Sequence, residues 1–118
     1  MPSHRDLKVW QRSHDLAARI YDATRGKPAS TDPALVSQLR RSSQSIGANI
    51  AEGRGLGTNP QFRRHLDIAL GSAAETEAHL TVCLDHDVLS AKVVFDLRDE
   101  VATVQRMLLA LKASIPPQ

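Results

Sequence analysis

Four stretches of the chain repeat apolar residues at alternating steps of three and four, the spacing that lines one face of an α-helix. The first covers about residues 6–25, where Leu7, Trp10, His14, Ala17, Tyr21 and Thr24 form a heptad seam widened by Val9, Leu16 and Ile20. Asp6 is its expected N-cap, and Gly26-Lys27-Pro28 stops it, because glycine suits a helix C-terminus and proline cannot continue the ladder. Asp32-Pro33 then reads as the cap and first position of a second helix reaching about Glu52. The third covers about residues 60–85, opened by Asn59-Pro60, with Phe62, Leu66, Ala69, Ala73, Thr76, Leu80 and Cys83 in unbroken alternation. The fourth covers about residues 90–114 with the seam Val94, Leu97, Val101, Val104, Leu108, Leu111 and Ile115, and Pro116-Pro117 ends it. Strand-like alternation and internal repeats are absent. Four amphipathic helices with short connections predict an all-α fold, an antiparallel up-down four-helix bundle in one domain over residues 1–118.

The segment Gln38–Glu75 departs from plain bundle patterning. Ser42, Ser45, Asn49 and Glu52 fall on one helical face beside Leu39, Ile46 and Ile50. Polar groups beside a core seam are costly to bury unless paired, so they either face water or bond across to a neighbouring helix or subunit. Gly53, Gly55 and Gly57 are the expected end of the second helix. In the third helix, Gly71-Ser72-x-x-Glu75 resembles a capping box, but the apolar seam passes through it unbroken. The preferred reading is that Gly71 and Ala73 let another helix approach closely while Ser72 and Glu75 make polar contacts. A mid-helix glycine costs about 1 kcal/mol relative to alanine, which suggests a packing reason.

The runs RRSSQSIGANIAEG (40–53) and FRRHLDIALGSAAE (62–75), with the opening DLKVWQRSHDLAARIY (6–21), resemble the four-helix bundle proteins of the 23S rRNA intervening-sequence type over roughly residues 6–111. Gly47 stands where that family usually has proline, the one departure from its pattern in these runs. The resemblance implies a left-handed bundle that assembles into a ring, commonly a pentamer, with no enzymatic activity. It also implies kinship with basic accessory proteins of diversity-generating retroelements, which bind nucleic acid and a reverse transcriptase. RNA or DNA and a reverse transcriptase therefore join a second copy of the chain as expected partners. By the same resemblance and pattern, Ser45, Asn49, Glu52, Gly53, Gly71, Ser72 and Glu75 are expected to be structural or interface residues.

Bulk composition narrows the setting. Apolar residues make up 42% and charged residues 24%, as in ordinary globular proteins, but aromatics are only 3%, so Leu, Ile, Val and Ala must build the core. Apolar runs fall far short of a membrane span, Met1–Arg12 is charged where a signal peptide would be apolar, and Cys83 is the only cysteine. A cytoplasmic location and no membrane partner are expected. Residues 1–64 hold eleven Lys or Arg against five Asp or Glu, a balance of +6, whereas residues 65–118 hold four against eight, a balance of −4. Arg40, Arg41, Arg54, Arg63 and Arg64, placed around the connection between the second and third helices, are the candidate nucleic-acid contacts. Their competing reading is a solvated, salt-bridged face. No aromatic platform accompanies them, which argues against stacking of single-stranded bases.

Catalytic and metal chemistry finds little footing. A di-iron bundle needs paired Glu-x-x-His motifs, and none is present. Glu75 and His79 are one turn apart and read as a surface pair, Cys83 continues an apolar seam as an inert thiol, and His14 reads as a core or interface histidine. Gly53-x-Gly55-x-Gly57 follows no strand and precedes no Gly-Lys-Ser/Thr, so it is a helix breaker rather than a phosphate loop. No cofactor, metal or catalytic residue is expected. Two function classes remain: a non-enzymatic homo-oligomeric scaffold, with or without nucleic-acid binding, and an enzyme or ligand-binding bundle whose site the sequence does not display.

Overall fold

Capping chemistry sets the helix starts in the computed structural model, which describes residues 3–117. Helix α1 is Lys8–Ala23, α2 Pro33–Leu56, α3 Asn59–Asp85 and α4 Ala91–Ser114; single 3-10 turns at His4–Asp6 and Ala29–Thr31 precede α1 and α2. The side chains of Asp32, Thr58 and Ser90 accept from the backbone N–H groups of Leu35, Gln61 and Val93, and proline sits in the first turn of α2 and of α3. Thr58, not Asn59, therefore caps α3. Asp6 does not cap α1 either: it lies in a 3-10 turn capped by Ser3, and α1 starts after Leu7 without a side-chain cap. Helix α2 runs one turn past the expected Glu52. Gly53 and Gly55 remain helical, and only Gly57, at φ 85°, closes the helix in the left-handed conformation. The helix is also continuous through Gly47.

Cross-helix pairs show the up-down topology. Arg40 reaches Thr24 between α1 and α2, Ser45 meets Ser72 between α2 and α3, Glu77 meets Arg98 between α3 and α4, and Arg12 meets Glu100 between α1 and α4. Each helix touches its two sequence or ring neighbours, which closes the bundle. The result is a rod of 47 × 19 × 19 Å, its length set by α3, whose 27 residues at 1.5 Å each span about 40 Å.

The core holds Leu16, Ile20, Leu39, Ile46, Ile50, Leu66, Leu80, Val94, Val101, Val104 and Leu108, all without solvent exposure. Each such side chain contributes about 1.5–3 kcal/mol by leaving water. The expected seam of α3 is buried at every position, and that of α4 from Val94 to Leu108, with Leu111 and Ile115 partly buried. Helix α1 departs from expectation. It buries Val9, Ser13, Leu16 and Ile20, whereas Trp10 and Ala17 are only half-buried and His14 and Tyr21 are exposed. Helix α1 thus carries two stripes of similar spacing, and the more apolar-aliphatic one faces its own bundle.

Candidate functional site

The polar row of α2 resolves into hydrogen bonds to α3 within the same chain. Thr76, fully buried, contacts the Ser42 hydroxyl at 2.9 Å and the Ser72 carbonyl at 2.8 Å; Ser72 and Ser45 share a hydroxyl pair at 2.9 Å. The Asn49 amide donates to the Ser45 carbonyl at 2.9 Å and hydroxyl at 3.1 Å, and its carbonyl oxygen lies 3.2 Å from His65 Nδ1. Because the Asn49 amide nitrogen donates to Ser45, Oδ1 must accept, so His65 Nδ1 carries the proton of this bond. Among the described residues no buried side-chain polar atom lacks a partner. Gly53 lets this ladder close: a Cβ there would stand 2.6 Å from His65 Cβ and 3.2 Å from Phe62 Cδ1. Glu52 takes a lesser part than expected, since its side chain is 63% exposed and sits 3.7 Å from His65 Nδ1 at the rim.

Gly71 departs from the packing reason expected of it. A Cβ there would meet nothing within 4 Å, so no helix of the same chain approaches it. Ser72 is buried in the ladder, while Glu75 pairs with His79 at 3.1 Å on the surface, and α3 passes through the motif without a break. Burial pushes the Cys83 thiol up to about 11, with the negative charge of Asp32 adding to the effect, so it is a poor nucleophile near neutrality. Arg12 holds the Glu100 carboxyl below its usual range through a hydrogen bond at 2.7 Å, partly opposed by burial. Among the described residues no three His, Cys, Asp or Glu side chains converge to hold a metal ion, and no helix is long and apolar enough to cross a membrane.

The five arginines do not form one patch. Arg41 and Arg54 are thirteen residues apart on α2, about 20 Å along the axis. Arg40 is committed to the C-terminus of α1: its guanidinium donates to Thr24 Oγ1 at 2.8 Å and to the Thr24 and Tyr21 carbonyls at 3.2 and 3.4 Å, and lies 4.1 Å from the Tyr21 ring centre. Arg63 donates to the Pro116 and Pro117 carbonyls at 3.2 and 2.9 Å, fastening the tail beyond α4. Arg54 lies 5.5 Å from the Phe62 ring centre, and Arg41 and Arg64 extend into solvent.

The stripe that α1 turns away from its core lines an open groove of about 640 Å³ against α2. Trp10, His14, Ala17 and Tyr21 form one wall, and Gly47, Ala48 and Ala51 the other. Trp10 and His14 are stacked at 4.8 Å with planes 13° apart, and His4 meets the indole edge-on at 4.8 Å. Gly47 sets the depth, since a Cβ there would stand 3.2 Å from Ser13 Oγ and 3.4 Å from Trp10 Nε1. His14 is therefore a groove residue rather than a core residue. Sequence patterning misses the groove because the two stripes of α1 overlap in period; the readable signal is that Val9, Leu16 and Ile20 form a complete stripe on their own. His65 is missed because it is a single polar residue without a periodic partner.

No curated protein matches the sequence. Among solved structures, one of a protein of unknown function from the S23 ribosomal protein family of Bacteroides thetaiotaomicron superposes with a TM-score of 0.83 at 24% identity, covering 90% of this chain and 96% of the other, which shows a shared fold. The sequence model of 23S rRNA-intervening sequence proteins matches residues 5–110, in agreement with the closed helical bundle, and the chain belongs to that family.

Proposed function

We propose that the protein is a non-enzymatic scaffold whose copies assemble into a homo-oligomer, with the five-membered ring implied by family resemblance as its expected size. The outward stripe of α1 carries this reading. Trp10, His14, Ala17 and Tyr21 repeat at helical spacing along an open groove with small residues opposite, and among the described residues no helix of the same chain closes it. The small residues opposite let a helix of a second copy approach closely, and covering the indole and phenol removes apolar surface from water. The polar ladder supports a structural role for Ser45, Asn49 and Ser72, because Ser45 bonds Ser72 and Asn49 bonds His65 across α2 and α3 while the Asn49 amide braces Ser45 within α2. Light scattering at micromolar concentration tests the reading: a multiple of the 12.9 kDa chain mass is expected, and a mass of 12.9 kDa would refute it.

Nucleic-acid binding is a second reading, supported by the +6 balance of residues 1–64 and by the solvated guanidinium groups of Arg41 and Arg64. A ring repeats such charges by symmetry, which lets modest patches hold a polyanion. Affinity for mixed RNA should fall steeply with salt, and Arg41→Gln with Arg64→Gln should flatten that slope. Binding with an unchanged slope would remove these two residues from the reading.

A further inference from the structure

Helix α4 also carries a second stripe. Phe95, Ala102 and Leu109 repeat every seven residues on a face turned away from the core, and Phe95 and Leu109 are 52% and 55% exposed, the two most exposed large apolar side chains described. We propose that this stripe of one copy seats in the α1/α2 groove of the next, so that the copies join head to tail; this rests on the homo-oligomeric reading and specifies its junction.

Three observations fit groove and stripe together. First, their lengths agree. Trp10 to Tyr21 spans about 16 Å and Phe95 to Leu109 about 21 Å at the helical rise, and the wall of Gly47, Ala48 and Ala51 has the small side chains that let a helix approach closely. Second, their charges are complementary. Arg25 and Arg40 stand over the Tyr21 ring and outnumber Asp22, which pairs with Arg25 at 3.8 Å, while Asp99 and Asp96, the latter paired with Lys92 at 3.0 Å, flank Phe95. Matching these ends runs the incoming α4 antiparallel to α1, with Phe95 near Tyr21 and Leu109 near Trp10.

The third observation is geometric. Within one chain α4 is already antiparallel to α1, and the Arg12–Glu100 pair at 2.7 Å fixes their relative height. If neighbouring copies are related by rotation about an axis along the rod, a neighbour's α4 arrives antiparallel to α1 and at that same height. Leu109 then falls near the start of α1 and Phe95 near its last two turns, the placement that the charges require. A groove on one side and a stripe on the other make a heterologous contact, which closes into a ring when the rotation divides a full turn.

Ala48→Glu blocks the groove and Leu109→Glu blocks the stripe; both positions are exposed, so far-ultraviolet circular dichroism should match wild type. Where the wild type is oligomeric, each variant alone should have the 12.9 kDa monomer mass. An equimolar mixture should reach twice that mass, because the intact groove of the Leu109→Glu chain takes the intact stripe of the Ala48→Glu chain and neither remaining end can add another copy. Phe95→Glu serves in place of Leu109→Glu if the latter loses its helical signal. A Leu109→Glu protein of wild-type mass beside a monomeric Ala48→Glu protein would overturn the junction and leave the oligomeric reading standing. A mixture that stays monomeric would also overturn the junction, and a monomeric wild type would overturn both.

Discussion

Replacing Asn49 by leucine tests whether the polar row holds α2 to α3. The change keeps the branched side-chain shape but deletes the donor to Ser45 and the acceptor for His65 Nδ1 at 3.2 Å. The Ser45 carbonyl remains in the helical ladder and its hydroxyl still pairs with Ser72 at 2.9 Å, so the main loss is at His65, whose side chain is only 15% exposed. A polar group left unpaired in such a place costs about 1–3 kcal/mol. With an unfolding entropy of about 2.1 cal/mol/K per residue, the 118 residues give about 250 cal/mol/K, and a mid-range loss of about 2 kcal/mol lowers Tm by about 8 °C. Glu52→Ala is the control. Its carboxylate is 63% exposed and 3.7 Å from the imidazole, so its loss is worth at most about 1 kcal/mol, a shift within about 4 °C. Differential scanning calorimetry at one fixed protomer concentration measures both, since assembly makes Tm concentration-dependent. An Asn49→Leu protein with wild-type Tm, or a Glu52→Ala protein as damaged as Asn49→Leu, would refute the ladder as drawn.

Two glycines should respond oppositely to one methyl group. Gly53→Ala forces a Cβ to 2.6 Å from His65 Cβ and should destabilise by about 1–3 kcal/mol, whereas Gly71→Ala meets open space and should stabilise by about 1 kcal/mol; urea unfolding reads both. Cys83 should resist a disulfide reagent at pH 8 in the folded protein and react promptly in denaturant, because its thiol is fully buried with a pKa of about 11. Glu100, held below its usual pKa by Arg12, contributes stability present above the unfolded carboxylate pKa and lost as pH falls through the lower folded value. Glu100→Gln should thus be less stable than wild type at pH 7, with the difference shrinking below about pH 4 in acid titrations followed by circular dichroism.

Much of the fold is legible from periodicity, and the exceptions have identifiable causes. Helices α3 and α4 each have one apolar stripe, so their buried residues follow directly from spacing. Helix α1 has two, and the aromatic stripe imitates a heptad seam while Val9, Leu16 and Ile20 take the core, because branched aliphatic side chains fill the narrow bundle interior and the indole and phenol retain polar edges. The end of α2 is misread because Gly53 serves a close helix crossing, not termination; only the positive φ of Gly57 ends the helix. The polar row is legible as a row, but its partners on α3 depend on the register of two antiparallel helices, which spacing along one of them does not contain. The arginines spread for a similar reason: Arg54, Arg63 and Arg64 stay around the connection, whereas Arg40 and Arg41 lie up the helix, and Arg40 and Arg63 are bound to backbone carbonyls.

Acrylamide quenching of the single tryptophan, Trp10, tests most directly whether the outer stripe of α1 is covered in solution. The indole lines an open groove in the isolated chain and should be shielded by a second copy in the assembly. The wild type at a concentration where light scattering finds an oligomer should therefore be quenched several-fold less than Ala48→Glu at the monomer mass of 12.9 kDa. Equal quenching of the oligomeric wild type and the monomeric variant would contradict the account, because the copies would then have joined without covering the groove.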